Sequence, residues 1–160
     1  MSILVNKPQN TNPLQPTKFV ITFPEVSDTV YFCQQVNLPG ANVKELVQPS
    51  PNLDLYKPGT RIGYETLDMT FLVNEELTAW TEIYNWLKDN SIGNKYRKTG
   101  VQAVLTIYSN LNNPKIRIKY VNVFPISISG LQFDTQLSAD NHLNATATFR
   151  FDNFEIEKIN

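Results

Sequence analysis

Apolar and polar residues alternate along most of the chain, the pattern of half-buried strands. From Thr17 to Phe23 the side chains of Phe19, Ile21 and Phe23 share a face, and Pro24 ends the run. Thr29 to Val36 alternates next, with Val30 and Phe32 on one side and Tyr31 and Cys33 on the other. The short polar link Glu25–Asp28 predicts a hairpin loop between these two runs. The clearest strand runs from Tyr64 to Val73, where Leu67, Met69, Phe71 and Val73 oppose Thr66, Asp68 and Thr70. Val101–Ser109 and Lys115–Val123 predict a hairpin across Asn110–Pro114. In its second half Ile116, Ile118 and Tyr120 alternate with Arg117 and Lys119, so one face is wet or meets a partner. Pro125 predicts a break, Ile126–Phe133 a further β segment, and Leu143–Phe151 a strand with Leu143, Ala145, Ala147, Phe149 and Phe151 on one face. Phe154 and Ile156 extend that strand.

The period changes once. Asn74 is a good helix N-cap, and Glu75 and Glu76 follow where a helix dipole favours anions. Leu77, Trp80, Tyr84 and Leu87 then recur at helical spacing, with Ile83 beside them. Lys88 falls in the last turn, and Asn90–Gly93 ends the segment. The spacing predicts one amphipathic helix at about 75–89, capping an open face or end of the sheet structure. Leu77, Trp80, Tyr84 and Leu87 are its expected packing core.

Two segments fit neither period. Residues 1–16 are polar and broken by Pro8, Pro13 and Pro16, which predicts an extended N-terminal arm ahead of one domain over 17–160. Leu38-Pro39-Gly40 is a turn, and Val43–Val47 a short strand. Pro49, Pro51, Pro58 and Gly59 then punctuate a polar stretch, and proline does not sit in a central ladder. Residues 48–62 are therefore expected to form a protruding loop or loosely paired hairpin. Its Leu53, Leu55, Tyr56 and Arg61 lack an evident home within the chain and are expected at an intersubunit contact. Several strands with one helix predict a mainly β fold, a barrel or sandwich of two packed antiparallel sheets. Such sheets have edge strands, which are templates for another chain.

Composition adds constraints. Charged residues are 18% of the 160, low for a globular chain, while 41% are hydrophobic, which argues against disorder. A low surface charge fits surface that is covered by neighbours. Fourteen Lys and Arg against fifteen Asp and Glu give a net charge of −1, without the cation excess that general nucleic-acid binding needs. The basic knot of Lys95, Arg97 and Lys98 is too short to change that. One cysteine, Cys33, forbids an intrachain disulfide. Met1 is not followed by a secretory apolar region, and no run approaches the roughly 18 apolar residues of a span. The chain is expected to fold in a cytoplasm without contact with a membrane.

Catalytic and metal chemistry find little purchase. His142 is the one histidine, in the turn-like Asp140-Asn141-His142, and Cys33 lies in a strand, the usual place of a small buried thiol. One His and one Cys do not make the common zinc sets. Glu65, Asp68, Asp134 and Asp140 are carboxylates without a pairing that singles out general acid–base work. No glycine-rich phosphate loop precedes the helix. The expectation is no enzyme, no cofactor and no metal. A sugar- or receptor-binding β-sandwich, with Tyr56 or Tyr96 stacking on a ligand, is the alternative of another class.

Val36–Leu87 resembles the tail tube protein family of bacteriophages, which is related to the tube proteins of type VI secretion. The likeness rests on Val36-Asn37-Leu38-Pro39-Gly40, on Pro58-Gly59, on the run Tyr64–Glu75, and on a following helix containing Trp86. Phe124-Pro125 leading to Ile128-Ser129-Gly130-Leu131-Gln132-Phe133 is compatible, so the likeness covers most of 17–157. The resemblance implies a homo-oligomer of hexameric rings that stack into a conduit for DNA and tape-measure protein. It further implies contact with sheath or baseplate proteins and a place in the virion tail after assembly in the host bacterial cytoplasm. The long loop after the first strands would contact the adjacent subunit and ring. A baseplate or tube-initiator ring of the same fold is the nearest alternative.

Overall fold

The computed structural model describes residues 12–26, 32–91, 99–136, 138 and 141–159. Among the described residues, ten strands and one long helix follow in chain order. They are β1 (Phe19–Thr22), β2 (Cys33–Val36), β3 (Ala41–Gln48), β4 (Leu55–Tyr64), β5 (Leu67–Leu72), α1 (Thr78–Ser91), β6 (Ala103–Tyr108), β7 (Pro114–Val121), β8 (Phe124–Ile128), β9 (Asn144–Arg150) and β10 (Asn153–Lys158). Two four-stranded antiparallel sheets, ordered β1-β6-β7-β10 and β2-β5-β9-β8, pack into a sandwich and do not close into a barrel. Strands β3 and β4 pair only with each other, as a separate two-stranded ribbon.

Period two decides what goes inside. Leu67, Met69 and Phe71 of β5 are buried with Ala145, Ala147 and Phe149 of β9, while Thr70 and Thr146 share an outer hydroxyl contact at 3.2 Å. Ile21, Leu105, Ile118 and Tyr120 of the first sheet join the same core. The small Ala145 and Ala147 leave room for large partners: Phe149 stacks on Phe23 at 4.8 Å and meets Trp86 of the helix at 6.0 Å. Alternation of large and small residues across a sandwich gives the interdigitation that native packing density requires.

The chain changes sheets where the sequence suggested local continuation. β1 and β2 do not form a hairpin: β1 pairs with β6 and β2 with β5. Residues 27–31, including Val30 and Tyr31, lie outside the described residues. Phe154 and Ile156 do not extend β9, because β10 crosses to the first sheet and pairs with β7. Pro125 does not break the chain. It sits in β8, opposite Phe149, and β8 is an edge strand where a missing N–H costs no ladder bond on the open side. The predicted β segment Ile126–Phe133 correspondingly starts earlier and ends at Ile128. The two crossings are tied together at Asn122, whose φ is +56°. Its side-chain amide donates to Asp152 at 2.9 Å, and its oxygen accepts from the Gly100 N–H at 3.0 Å.

The helix starts later than the predicted 75–89. Asn74–Leu77 first closes a turn, with the Leu77 N–H donating to the Asn74 carbonyl at 3.0 Å and Leu77 at φ +55°. Glu75 and Glu76 therefore lie in that turn and not in the first helical turn. Asn74 still caps, across the turn: its Oδ1 accepts from the Thr78 N–H at 2.8 Å and its Nδ2 donates to Thr78 Oγ1 at 3.1 Å. Replacing Asn74 by Ala is expected to cost about 1 kcal/mol, read as a lower urea midpoint at unchanged slope. Asn74→Asp, which keeps the acceptor, should recover most of it.

The buried stripe is also turned from the expected one. Ala79, Ile83 and Trp86 go fully inside. Trp80 and Leu87 are half-buried, and the Trp80 Nε1–H donates to the Ser129 carbonyl at 3.1 Å. Leu77 precedes the helix, and Tyr84 is exposed, stacked on Trp80 at 5.5 Å. The stripes 80/84/87 and 79/83/86 are neighbours on one cylinder and share a period. Each stripe carries one tryptophan, and the contact of Trp86 with the buried Phe149 goes with the inward turn of 79/83/86. The helix packs on β8.

Candidate functional site

The ribbon β3–β4 is the feature that stands apart from the sandwich. Ala41 pairs with Tyr64 at its base, and Gln48 pairs with Leu55 at its tip. At roughly 3.4 Å per residue, the eight residues of β3 reach on the order of 27 Å. Every described residue of β3 is exposed. The predicted loop at 48–62 is thus mostly strand, and the Val43–Val47 segment is its partner. Pro58 sits opposite Glu45 beside a register shift between Val43 and Glu45. A free-standing ribbon has no second ladder to disturb, so the proline is tolerated. Gly59 is required at that bulge: a Cβ there would lie 2.1 Å from the Lys44 carbonyl oxygen.

The base of the arm is fixed. The Tyr64 ring meets Phe154 at 5.2 Å and Phe151 at 5.5 Å, and its hydroxyl donates to Asn153 Oδ1 at 2.8 Å. Arg150 donates to the Tyr64 carbonyl at 3.2 Å. The Glu65 N–H donates to the Gly40 carbonyl at 3.0 Å, and the Gly40 N–H returns a bond to the Glu65 carboxylate at 3.2 Å. The side chain of Asn37 clamps the start of β5, donating to the Thr66 carbonyl at 3.0 Å and accepting from the Asp68 N–H at 2.7 Å.

Seven large apolar side chains of this segment are exposed: Val43, Leu46, Val47, Leu53, Leu55, Tyr56 and Ile62. Leu53 is 68% exposed and Tyr56 64%. Such a concentration exceeds the singly scattered apolar side chains of an ordinary protein surface. Register sorts it into two faces. Val43 with Ile62 and Val47 with Tyr56 lie on one. Leu46 with Lys57, and Gln48 with Leu55, lie on the other. Apolar groups on both faces of the outer half suit insertion between surfaces better than lying flat on one.

The expected contact residues Leu53, Leu55, Tyr56 and Arg61 are therefore together on one exposed arm. Val43, Leu46, Val47 and Ile62 join them; they fall within residues 40–62, the stretch that the family resemblance matches to the contacting loop, without having been singled out. Their signal was alternation on either side of Pro58-Gly59, masked by the assumption that proline ends a strand. The other candidates are scattered. Glu65 caps Gly40, Asp68 accepts from the Thr66 hydroxyl at 3.4 Å, and Asp134 accepts from the Gln136 N–H at 2.8 Å in a local turn. Cys33 is half-buried at the start of β2; burial pushes its thiol up to about 11, so it is protonated at neutral pH. Burial likewise raises the phenol of Tyr120 above its ordinary value. The Glu157 carboxyl is held below its usual range, first by a hydrogen bond from Lys119 and then by the charges of Lys119 and Arg117. His142 is exposed and lines a shallow groove with Val73, Asn74, Glu75, Leu77 and Phe133. Asp140, Tyr96, the knot of Lys95, Arg97 and Lys98, and most of the N-terminal arm lie outside the described residues. Among the described residues no three His, Cys, Asp or Glu side chains are grouped to hold a metal ion, and no helix is long and apolar enough to cross a membrane.

Comparison with known proteins follows the same outline. The model of the phage tail tube protein family matches residues 15–157. The tail tube terminator protein of Enterobacteria phage T4 is 28% identical, over 92% of this chain and 90% of that protein. Among solved structures, a chain of the anti-feeding prophage baseplate aligns with a TM-score of 0.71 at 12% identity, over 92% of this chain and 97% of the other. A chain of the anti-feeding prophage tube-terminating cap aligns with a TM-score of 0.69 at 15% identity, over 99% of this chain and 100% of the other.

Proposed function

Because the chain belongs to the phage tail tube protein family, we propose that it is a ring subunit which closes one end of a tail tube. Copies would form a hexameric ring, stacked on the tube and continuing its conduit. The observation that carries this reading is the anchored arm, with exposed apolar side chains on both faces that none of the described residues covers. The terminal position is supported by the likeness to the phage T4 terminator, which extends over nearly the whole of both chains. The role is structural and not catalytic. DNA and tape-measure protein would pass through the lumen without specific binding, and a net charge of −1 suits a surface along which a polyanion slides. Sheath or baseplate proteins would meet the surfaces that the ring leaves free. Assembly in the host cytoplasm would end in the virion tail.

Two measurements test this. Native mass spectrometry with negative-stain imaging of the purified chain should give sixfold rings; a monomer at high concentration, with no tail protein able to recruit it, overturns the ring. Gold label on a tagged copy in intact particles should mark one end of the tube. Label along the whole length would assign the chain to the tube body, and label at the baseplate would assign it to an initiator ring.

A further inference from the structure

Among the described residues, the arm meets the hydrophobic core at one place. Strands β3 and β4 pair only with each other, and of their residues Tyr64 is the one that packs against the core. The reciprocal bonds between Gly40 and Glu65 close the base of the ribbon on itself. They hold its two strands side by side but leave its angle to the sandwich unset, because two adjacent chain crossings define a hinge line. A third point off that line is needed, and Tyr64 supplies it.

What Tyr64 meets comes from both sheets. Its ring lies 5.5 Å from Phe151, which follows β9 of the second sheet, and 5.2 Å from Phe154 in β10 of the first. Phe151 and Phe154 in turn meet Tyr120 of β7, at 5.1 and 5.8 Å. Two hydrogen bonds converge on the same residue. Its hydroxyl donates to Asn153 Oδ1 at 2.8 Å, and Arg150 donates to its carbonyl at 3.2 Å. The Asn153 oxygen is itself held by the Phe154 N–H at 2.8 Å. Leverage gives this anchor its weight. The eight residues of β3 reach on the order of 27 Å, so a swing of about 10° at the base moves the tip by about 5 Å, more than the roughly 3.4 Å that one strand residue spans.

We propose that Tyr64 is the positioning residue that aims the arm: its ring, held against Phe151 and Phe154, sets the angle of the β3–β4 ribbon to the sandwich before any partner binds. An arm aimed in advance loses less freedom at an interface than one that swings. The consequence for assembly rests on the ring reading above; the aim of the arm in the free chain does not.

Distances between two spin labels on the unassembled full-length chain test it. In a Cys33→Ala background, Ser50→Cys places one label at the arm tip and Thr81→Cys the other on α1; both sites are exposed. This parent should give one narrow distance distribution. Tyr64→Ala should broaden it roughly twofold, as a segment freed at its base does, while the melting curve shows the sandwich folded. Tyr64→Leu keeps apolar bulk at the site and should also fold and broaden, so the test survives an alanine variant that does not fold. Tyr64→Phe keeps the ring and should restore the narrow distribution. Tyr120→Phe is the control from the same cluster. It leaves the ring contacts of Tyr64 in place and removes a buried hydroxyl that has no hydrogen-bond partner among the described residues, so it should stay narrow and melt no lower than the parent. In assembly, Tyr64→Ala leaves Leu46, Val47, Leu55 and Tyr56 untouched, yet the assembled fraction should fall about tenfold, since a swinging arm must be ordered at the interface; Tyr64→Phe should recover it. A broad distribution in the parent overturns the assignment. So does a narrow one in Tyr64→Ala or, where that chain does not fold, in Tyr64→Leu, and so does broadening by Tyr120→Phe. Broadening with undiminished assembly overturns the role of the aim in assembly. A parent chain that never self-assembles overturns the ring reading, and the distances still decide the aim of the arm.

Discussion

Phe149→Ala is expected to cost about 3–5 kcal/mol, the usual range for removing a large aromatic from a closed core. Phe149 is fully buried, stacked on Phe23, tilted against Trp86, and flanked along β9 by Ala147. The alanine neighbour is the reason for a value at the upper end. Ala145 and Ala147 have no side chain that can swing into the space, so the cavity cannot collapse. The ring is also the point where the second sheet, the helix and the end of β1 meet, so all three lose contacts together. Against the 5–15 kcal/mol total stability of an ordinary domain, the loss leaves a marginal fold. Urea unfolding of the unassembled protein measures it, and Phe149→Leu, which fills most of the volume, should lose clearly less. A Phe149→Ala cost under 1 kcal/mol would mean that the two sheets and helix do not share this core.

Val47→Ser with Tyr56→Ser has the largest expected effect on assembly and almost none on the monomer. The two residues face each other across the arm, and both are exposed in the free chain. Burying each at an interface is worth roughly 1.5–3 kcal/mol. Losing both removes about 3–6 kcal/mol per contact, or about 10²–10⁴-fold in affinity. Their exposure limits the effect on the free chain to about ±0.5 kcal/mol. Ring formation by native mass spectrometry should therefore collapse while the melting curve of the monomer stays in place. If rings form normally, the arm is not the assembly device. If the monomer melts early, the arm belongs to the fold and not to the interface.

The mainly β character, the single helix and nearly every inward-facing strand residue were legible from period alone. Leu67, Met69, Phe71, Ala145, Ala147 and Phe149 could be named before any coordinates, because a strand exposes alternate residues to opposite faces whatever its neighbours are. The failures share a physical cause. Pro125 and Pro58 were read as breaks because proline lacks a donor. That matters only when both sides of a strand are paired, and an edge and a lone ribbon each have an open side. Tyr84 was assigned to the helix core because two adjacent stripes carry the same period. The choice between them depends on a contact with Phe149 that is 63 positions away in the chain.

The sequence by itself determined the local states: which segments extend, where the period changes, which faces are apolar, and that Leu53, Leu55 and Tyr56 lacked an evident place in the core. Tertiary structure alone decided the partners. It sent β10 to the sheet opposite β9, separated β1 from β2, turned the helix on Trp86, and left β3 and β4 paired with each other as a ribbon apart from both sheets. The physical reason is the range of the forces involved. Backbone sterics and side-chain alternation act over a few residues and are written locally. Sheet order and packing are settled by which distant apolar faces exclude water together, and only the folded chain brings those faces within reach.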